Sequence, residues 1–301
     1  MYCLETKDLT YHYSPEQRIL SGIDLQVPEH SIYGFLGPNG AGKTTTMRLL
    51  LGLLKNQQGE INIFGGPLRP NRANILRRIG SLIETPSFYA HLTANENLRV
   101  LQKVYQSPES RIKYVLDITG LGGTGSKPLG KFSLGMKQRF GIAASLLHSP
   151  SLLILDEPTN GLDPNGMIEI RELLRALNHQ QGLSIFISSH LLAEIERLVT
   201  HVGIINKGTL LFQGTLENLQ SRTGQYTVFA TGNPGVALRI LHEFDDSAII
   251  SEQQVHTGPL PAEKIAMATR LLVQNDVDVY EITSRKEDLE KLFINLIDQV
   301  K

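Results

Sequence analysis

The chain has 301 residues, and its 29 Lys+Arg against 30 Asp+Glu leave a formal net charge of −1. That balance speaks against a polybasic nucleic-acid binder and an acidic tail protein, so no nucleic-acid partner is expected. With 41% hydrophobic and 20% charged residues the composition is globular, and the single Cys rules out an internal disulfide framework and a Cys-rich metal site. No apolar run reaches the roughly 18–20 residues of a membrane helix. The start, MYCLETKDLT, lacks the basic-then-apolar pattern of a secretion signal, so a soluble cytoplasmic chain is expected.

Strand-like and helix-like segments alternate from Ser31 to about Thr215, which predicts an α/β core with a largely parallel sheet. SIYGFL (Ser31 to Leu36) reads as a buried strand ending at a Gly-rich turn, and TTMRLLLGLL as a helix covered on several sides. From about residue 85 to 148 helical patterns dominate, which predicts a helical insertion into the core. SLLILDEP (Ser151 to Pro158) reads as a strand buried on both faces, and LSIFISSH (Leu183 to His190) as another, followed by a helix through LLAEIERL. After about Ser221 the pattern reads strand QYTVFAT, helix, strand AIISEQQVH, helix, strand VDVYEIT, helix. The expected organisation is a domain over 1–220 and a small α+β domain over 221–301.

Gly37-Pro38-Asn39-Gly40-Ala41-Gly42-Lys43-Thr44-Thr45 fits G-x-x-x-x-G-K-[ST] between a strand and a helix. Glycines let the backbone curl so that its N–H groups and the helix N-terminus face phosphates. Lys43 would reach the β- and γ-phosphates, and the Thr44 hydroxyl would ligate Mg²⁺. The strand through Leu155 ends in Asp156-Glu157. In a P-loop protein Asp156 would serve the Mg²⁺ shell, and Glu157 would hold the attacking water as its general base. Guanine recognition is unsupported, because Asn206-Lys207-Gly208-Thr209 lacks the Asp of an Asn-Lys-x-Asp reader.

Phe132-Ser133-Leu134-Gly135-Met136-Lys137-Gln138-Arg139 resembles the signature motif of ATP-binding-cassette (ABC) ATPases, usually Leu-Ser-Gly-Gly-Gln. Asp156 to Asp163 resembles that family's Walker B and D-loop run, with Asp163 as the D-loop acid. His190 matches its switch histidine, placed for the γ-phosphate, and Tyr13 in LTYHY matches its adenine-stacking aromatic, with Tyr11 a competitor two residues away. The motifs span about residues 4–220 in family order. The resemblance implies a P-loop ATPase fold with ATP and Mg²⁺, hydrolysing ATP with Lys43, Glu157 and His190. It implies that Ser133, Leu134, Gly135 and Met136 act on the opposite protomer's nucleotide, so that a second cassette is a partner. Ser133 also fits an ordinary helix N-cap.

Two positions depart from the pattern. Leu134 and Met136 stand where the signature usually has small residues. Where most members carry a Gln that touches Mg²⁺ and water, this chain has Glu84, a possible oxygen ligand with added charge or else a plain loop residue. The Glu84 variant with its flanks IETPSFY and LTANENL is similar to cassettes of the bacitracin-resistance and lantibiotic self-protection group. That resemblance implies an exporter of antimicrobial peptides, with multi-span membrane permease subunits as partners and a peripheral position on the cytoplasmic face of a prokaryotic membrane. General multidrug export is the alternative. A soluble cassette for translation or DNA repair is disfavoured, since there is one P-loop and no coiled coil between Lys43 and Asp156. The C-terminal unit shows no metal cluster or nucleophile pattern, and dimer support, regulation and a stabilising cap all stay open.

Overall fold

Runs of consecutive aliphatic residues need cover on both faces, and the chain places them at the centre of a parallel sheet. The computed structural model describes residues 1–14, 16–55, 57–83, 88–286 and 289–298. It divides into two compact units, Met1–Leu216 and one beginning at Glu217.

In the first unit the elements are β1 (Tyr2–Ser14), β2 (Gln17–Ile23), β3 (Gln26–Pro28), β4 (Ile32–Leu36), α1 (Lys43–Leu50), β5 (Gln58–Ile63), β6 (Gly66–Pro67), α2 (Leu68–Leu76) and β7 (Ile79–Leu82). They continue with α3 (Ala94–Tyr105), α4 (Ser110–Ile118), α5 (Leu134–Leu146), β8 (Leu152–Leu155), α6 (Pro164–Gln181), β9 (Ser184–Ser189), α7 (Leu192–Ile195), β10 (His201–Asn206) and β11 (Thr209–Thr215). One sheet has the order β11-β10-β4-β9-β8-β7. All its pairings are parallel except β10 with β11. Every residue of β4, β8 and β9 is buried, as strands covered on both faces require. Tyr33 and Phe186 stack with centroids 5.5 Å apart, and Phe35 lies 5.4 Å from Phe186. Leu36 pairs with Ser189, and Leu155 with Ile187, so the three central strands end together at one edge. In an open α/β sheet that edge is where ligands bind.

A second, antiparallel sheet (β2-β1-β5-β6, with β3 on β1) was not expected from the sequence. Its strands are half-buried, and β5 alternates between core and solvent, so they lack the continuous apolar signal of β8. The helical stretch holds α3, α4 and α5 within the first unit. Thr93 starts α3 with a reciprocal capping box: its hydroxyl accepts from Glu96 N, and Glu96 Oε2 accepts from Thr93 N.

α8 (Leu216–Gln220) leads into the second unit, which contains β12 (Gln225–Thr231), α9 (Pro234–Leu241), β13 (Ile249–Ser251), β14 (Gln254–Thr257), α10 (Ala262–Gln274), β15 (Val279–Lys286) and α11 (Leu289–Asp298). Its antiparallel sheet has the order β13-β14-β12-β15. With β12-α9-β13-β14-α10-β15 in sequence, this is the βαββαβ arrangement of ferredoxin-like folds. Its own core joins Phe229, Val255, Leu241, Ala268 and Leu272. The segment AIISEQQVH, expected as one strand, is a hairpin. It turns at Glu252 (φ 50°) and Gln253 (φ 61°), two left-handed residues that suit a two-residue turn.

Candidate active site

The loop after β4 approaches β2 and β10 so closely that side chains are excluded. A Cβ on Gly37 would lie 2.2 Å from the Ile205 carbonyl oxygen, and Gly42 has φ 110° with a virtual Cβ 2.6 Å from Leu20. Gly42 caps α1 without a side chain, and Thr46 N is bonded to Gly42 O. The amides of the first turn before it have no partner inside the helix, so the loop end is an anion-binding surface.

Buried Lys43 spends its three donors inside this edge. Its Nζ donates to Gly37 O at 2.6 Å and Pro38 O at 3.3 Å, and pairs with Glu157 Oε1 at 3.3 Å. The other Glu157 oxygen, Oε2, lies 2.6 Å from His190 Nδ1. An ionised carboxylate only accepts, so with Glu157 ionised Nδ1 carries the proton in that contact. Lys43, Glu157 and His190 therefore form one charged array across the ends of β4, β8 and β9.

Thr44 Oγ1 donates to Asp156 Oδ2 at 2.7 Å, which joins the two residues expected around Mg²⁺. Both are hard oxygen donors of the kind that cation takes, so the pair fits it. Glu84, the third expected ligand, lies outside the described residues.

Tyr13 is half exposed (51%) near the end of β1, while Tyr11 is buried and meets it edge-on at 5.2 Å. Tyr11 is thus the packing residue, and the ring open for stacking is Tyr13. It borders a cavity with His12, Ser14 and Gln57. Gln57 fixes this strand end by exchanging hydrogen bonds with the backbone of His12.

Ser133 is the N-cap of α5, its hydroxyl accepting from Met136 N at 3.2 Å. Ser133 is exposed, Leu134 stands half exposed, and Gly135 is partly buried. A Cβ on Gly161 would lie 3.2 Å from Leu134 Cδ2, and one on Gly135 3.8 Å from Leu162 Cδ2, so the start of α5 lies beside the Gly161-Leu162 turn. Asp163 caps α6, accepting from Gly166 N at 3.0 Å, with Pro164 in the first turn. A cleft lined by Phe88, Leu129, Leu134 and Gln138 reaches Asp156 and Glu157.

Sequence reading missed Ser188. Its hydroxyl donates to Asp156 Oδ1 at 2.5 Å and accepts from Glu157 N at 2.9 Å. It is fully buried, and the signal that marks it is the change from the apolar run Ile185-Phe186-Ile187 to the hydroxyls of Ser188-Ser189 just before His190.

A family profile described as ABC transporter matches residues 20–160. The chain is 45% identical over 300 residues to the bacitracin transport ATP-binding protein BcrA of Bacillus licheniformis, covering 98% of this chain and 97% of that one. It is 43% identical over 210 residues to the lantibiotic transport ATP-binding protein SrtF of Streptococcus pyogenes, covering 70% and 90%. Among solved structures, cbiO1 from Clostridium perfringens, part of the ABC transporter complex cbiONQ, superposes with a TM-score of 0.68 at 29% identity, covering 73% of this chain and 91% of that one.

Proposed function

Since the chain belongs to the ABC transporter family as an ATP-binding ATPase subunit, we propose that it powers export of antimicrobial peptides through separate membrane subunits. The observation that carries the catalytic part is the Lys43–Glu157–His190 array at the shared edge of three parallel strands. The relatives that transport bacitracin and lantibiotics support the substrate class. Among the described residues no helix is long and apolar enough to cross a membrane, so the substrate path belongs to partner chains. A place on the inner face of a bacterial membrane, bound to those chains, follows from that division of labour.

In this reading Lys43 exchanges carbonyl and carboxylate contacts for phosphate oxygens, and the first-turn amides of α1 hold the same phosphates. That exchange frees Glu157 Oε1. The Glu157 carboxylate then accepts a proton from the water that attacks the γ-phosphorus, giving ADP and phosphate. His190 keeps Glu157 oriented through Nδ1–H, and in the imidazolium form its Nε2–H donates to a γ-phosphate oxygen. A bound divalent cation would offset the phosphate charge, held by Thr44 and Asp156. Tyr13 offers its face to adenine. Ser133 and Gly135, at the exposed start of α5, serve the nucleotide of a second cassette. ATP therefore binds between two protomers and joins them. The unit beginning at Glu217 is accessory to this chemistry.

The test is co-expression of the full chain with the multi-span membrane proteins encoded beside its gene, in a bacitracin-sensitive bacterium. The account predicts co-purification, and a raised inhibitory concentration of bacitracin or a lantibiotic that Lys43→Ala abolishes. Unchanged susceptibility to both peptides with an assembled, ATP-hydrolysing complex contradicts the substrate class.

A further inference from the structure

Glu157 occupies a left-handed backbone conformation (φ 47°), which a non-glycine residue holds only when its surroundings fix it. The turn that follows closes with Asn160 N bonded to Glu157 O at 3.1 Å. Inside that turn Thr159 is 2% exposed, and its hydroxyl donates to Glu194 Oε2 at 3.0 Å. The same Oε2 lies 3.4 Å from the hydroxyl of Ser189. Ser189 Oγ also accepts from Leu191 N at 3.1 Å, and its one proton is shared between Leu191 O at 3.0 Å and Glu194 Oε2, so it folds the backbone around His190. One carboxylate oxygen therefore holds both backbones that carry the Glu157–His190 contact. Among the described residues, Lys43 bonds to Gly37, Pro38 and Glu157, and the Glu194 carboxylate to Thr159 and Ser189.

We propose that Glu194 is a positioning residue, tying the Glu157 turn to the His190 strand end so that the base and its histidine stay in register. The proposal rests on the reading that Glu157 and His190 act in hydrolysis. Its geometric content is specific. Accepting the Thr159 hydroxyl proton, with Ser189 as the longer contact, needs an oxygen at Oε2 and not a negative charge, so a glutamine amide oxygen can replace it. Binding of ATP uses the Gly37–Thr45 loop, which this tether does not reach. Loss of the tether should lower kcat and leave KM alone, as expected when groups needed in the transition state are displaced.

The experiment measures steady-state MgATP hydrolysis by the full chain in Glu194→Ala, Glu194→Gln, Thr159→Val and the Thr159→Val/Glu194→Ala pair, with Glu157→Gln as reference. Thermal melting of each variant reports the folded fraction. The expected result is a fall in kcat of about ten- to a hundred-fold for Glu194→Ala, with KM within about two-fold. Glu194→Gln should recover most of the rate. Thr159→Val should show part of the loss and add nothing to Glu194→Ala, since the two share one contact. A Glu194→Ala enzyme with unchanged kcat overturns the proposal, as do a Gln variant as slow as the Ala variant and multiplicative losses in the pair. Full turnover in Glu157→Gln removes the underlying reading, and the proposal with it.

Discussion

Ser188 donates its hydroxyl proton to Asp156 Oδ1 at 2.5 Å across the β8–β9 boundary. Ser188 Oγ in turn accepts from the backbone amide of Glu157 at 2.9 Å. A single buried hydroxyl thus fixes the orientation of the cation-side carboxylate and the backbone of the proposed base. Thr44 holds the other Asp156 oxygen, so both lone-pair faces of that carboxylate are directed by named groups.

Ser188→Ala leaves the Glu157 amide without its acceptor in a buried site, at a cost of about 1–3 kcal/mol. Thermal melting should show that loss, and steady-state assays should show a lower kcat. A variant that melts and turns over like the parent contradicts the bridging role.

His148 gives a pH dependence with a definite sign. Burial holds its pKa below the ordinary value of 6.5, with Arg111 adding to the effect and the contact to Ile79 O opposing it. Tyr105 stacks on the ring at 4.5 Å. The unfolded chain therefore takes up the proton first as pH falls, and stability declines below about 6.5 until the folded form titrates as well. Above that value the contribution is flat. Melting temperatures from pH 8 to 5 should show this acid-side decline, and His148→Gln should flatten it. An unaltered slope in that variant assigns the decline to other groups.

The hairpin of the second unit carries two non-glycine residues in left-handed conformations, Glu252 and Gln253. Placing Asn at 252 and Gly at 253 relieves that strain and should stabilise the unit by about 1–2 kcal/mol. Chemical denaturation of the full chain, followed in the transition that reports β12–β15, measures it. A loss of stability contradicts the turn assignment.

The chemistry-bearing turns were legible because each follows a buried apolar strand. IYGFL leads into the loop of Gly37–Thr45, LLIL into Asp156-Glu157, and SIFISS into His190. Parallel pairing then aligns these ends without further information. The antiparallel sheet was not legible, since β1 mixes Thr, Lys, Asp and His with its apolar residues and its short buried runs are broken by exposed positions. The hairpin escaped for a related reason: Glu-Gln gives no turn signal of the Asn-Gly kind. Ser188, Thr159 and Glu194 lie far from their partners in sequence, and only the register of β8 against β9 brings Ser188 to Asp156. Tyr13 was preferred to Tyr11 in the sequence by its match to the family motif, and the exposure of Tyr13 beside a buried Tyr11 is consistent with that choice.

The central claim is that Glu157 is the base of an ATPase that works between two protomers. The most direct measurement is sedimentation of full-chain Glu157→Gln with MgATP, with turnover assayed on the same sample. The account predicts retained ATP, turnover lowered by about 10²–10⁴-fold and a stable dimer that separates with ADP. A monomer that hydrolyses ATP at the parental rate contradicts it.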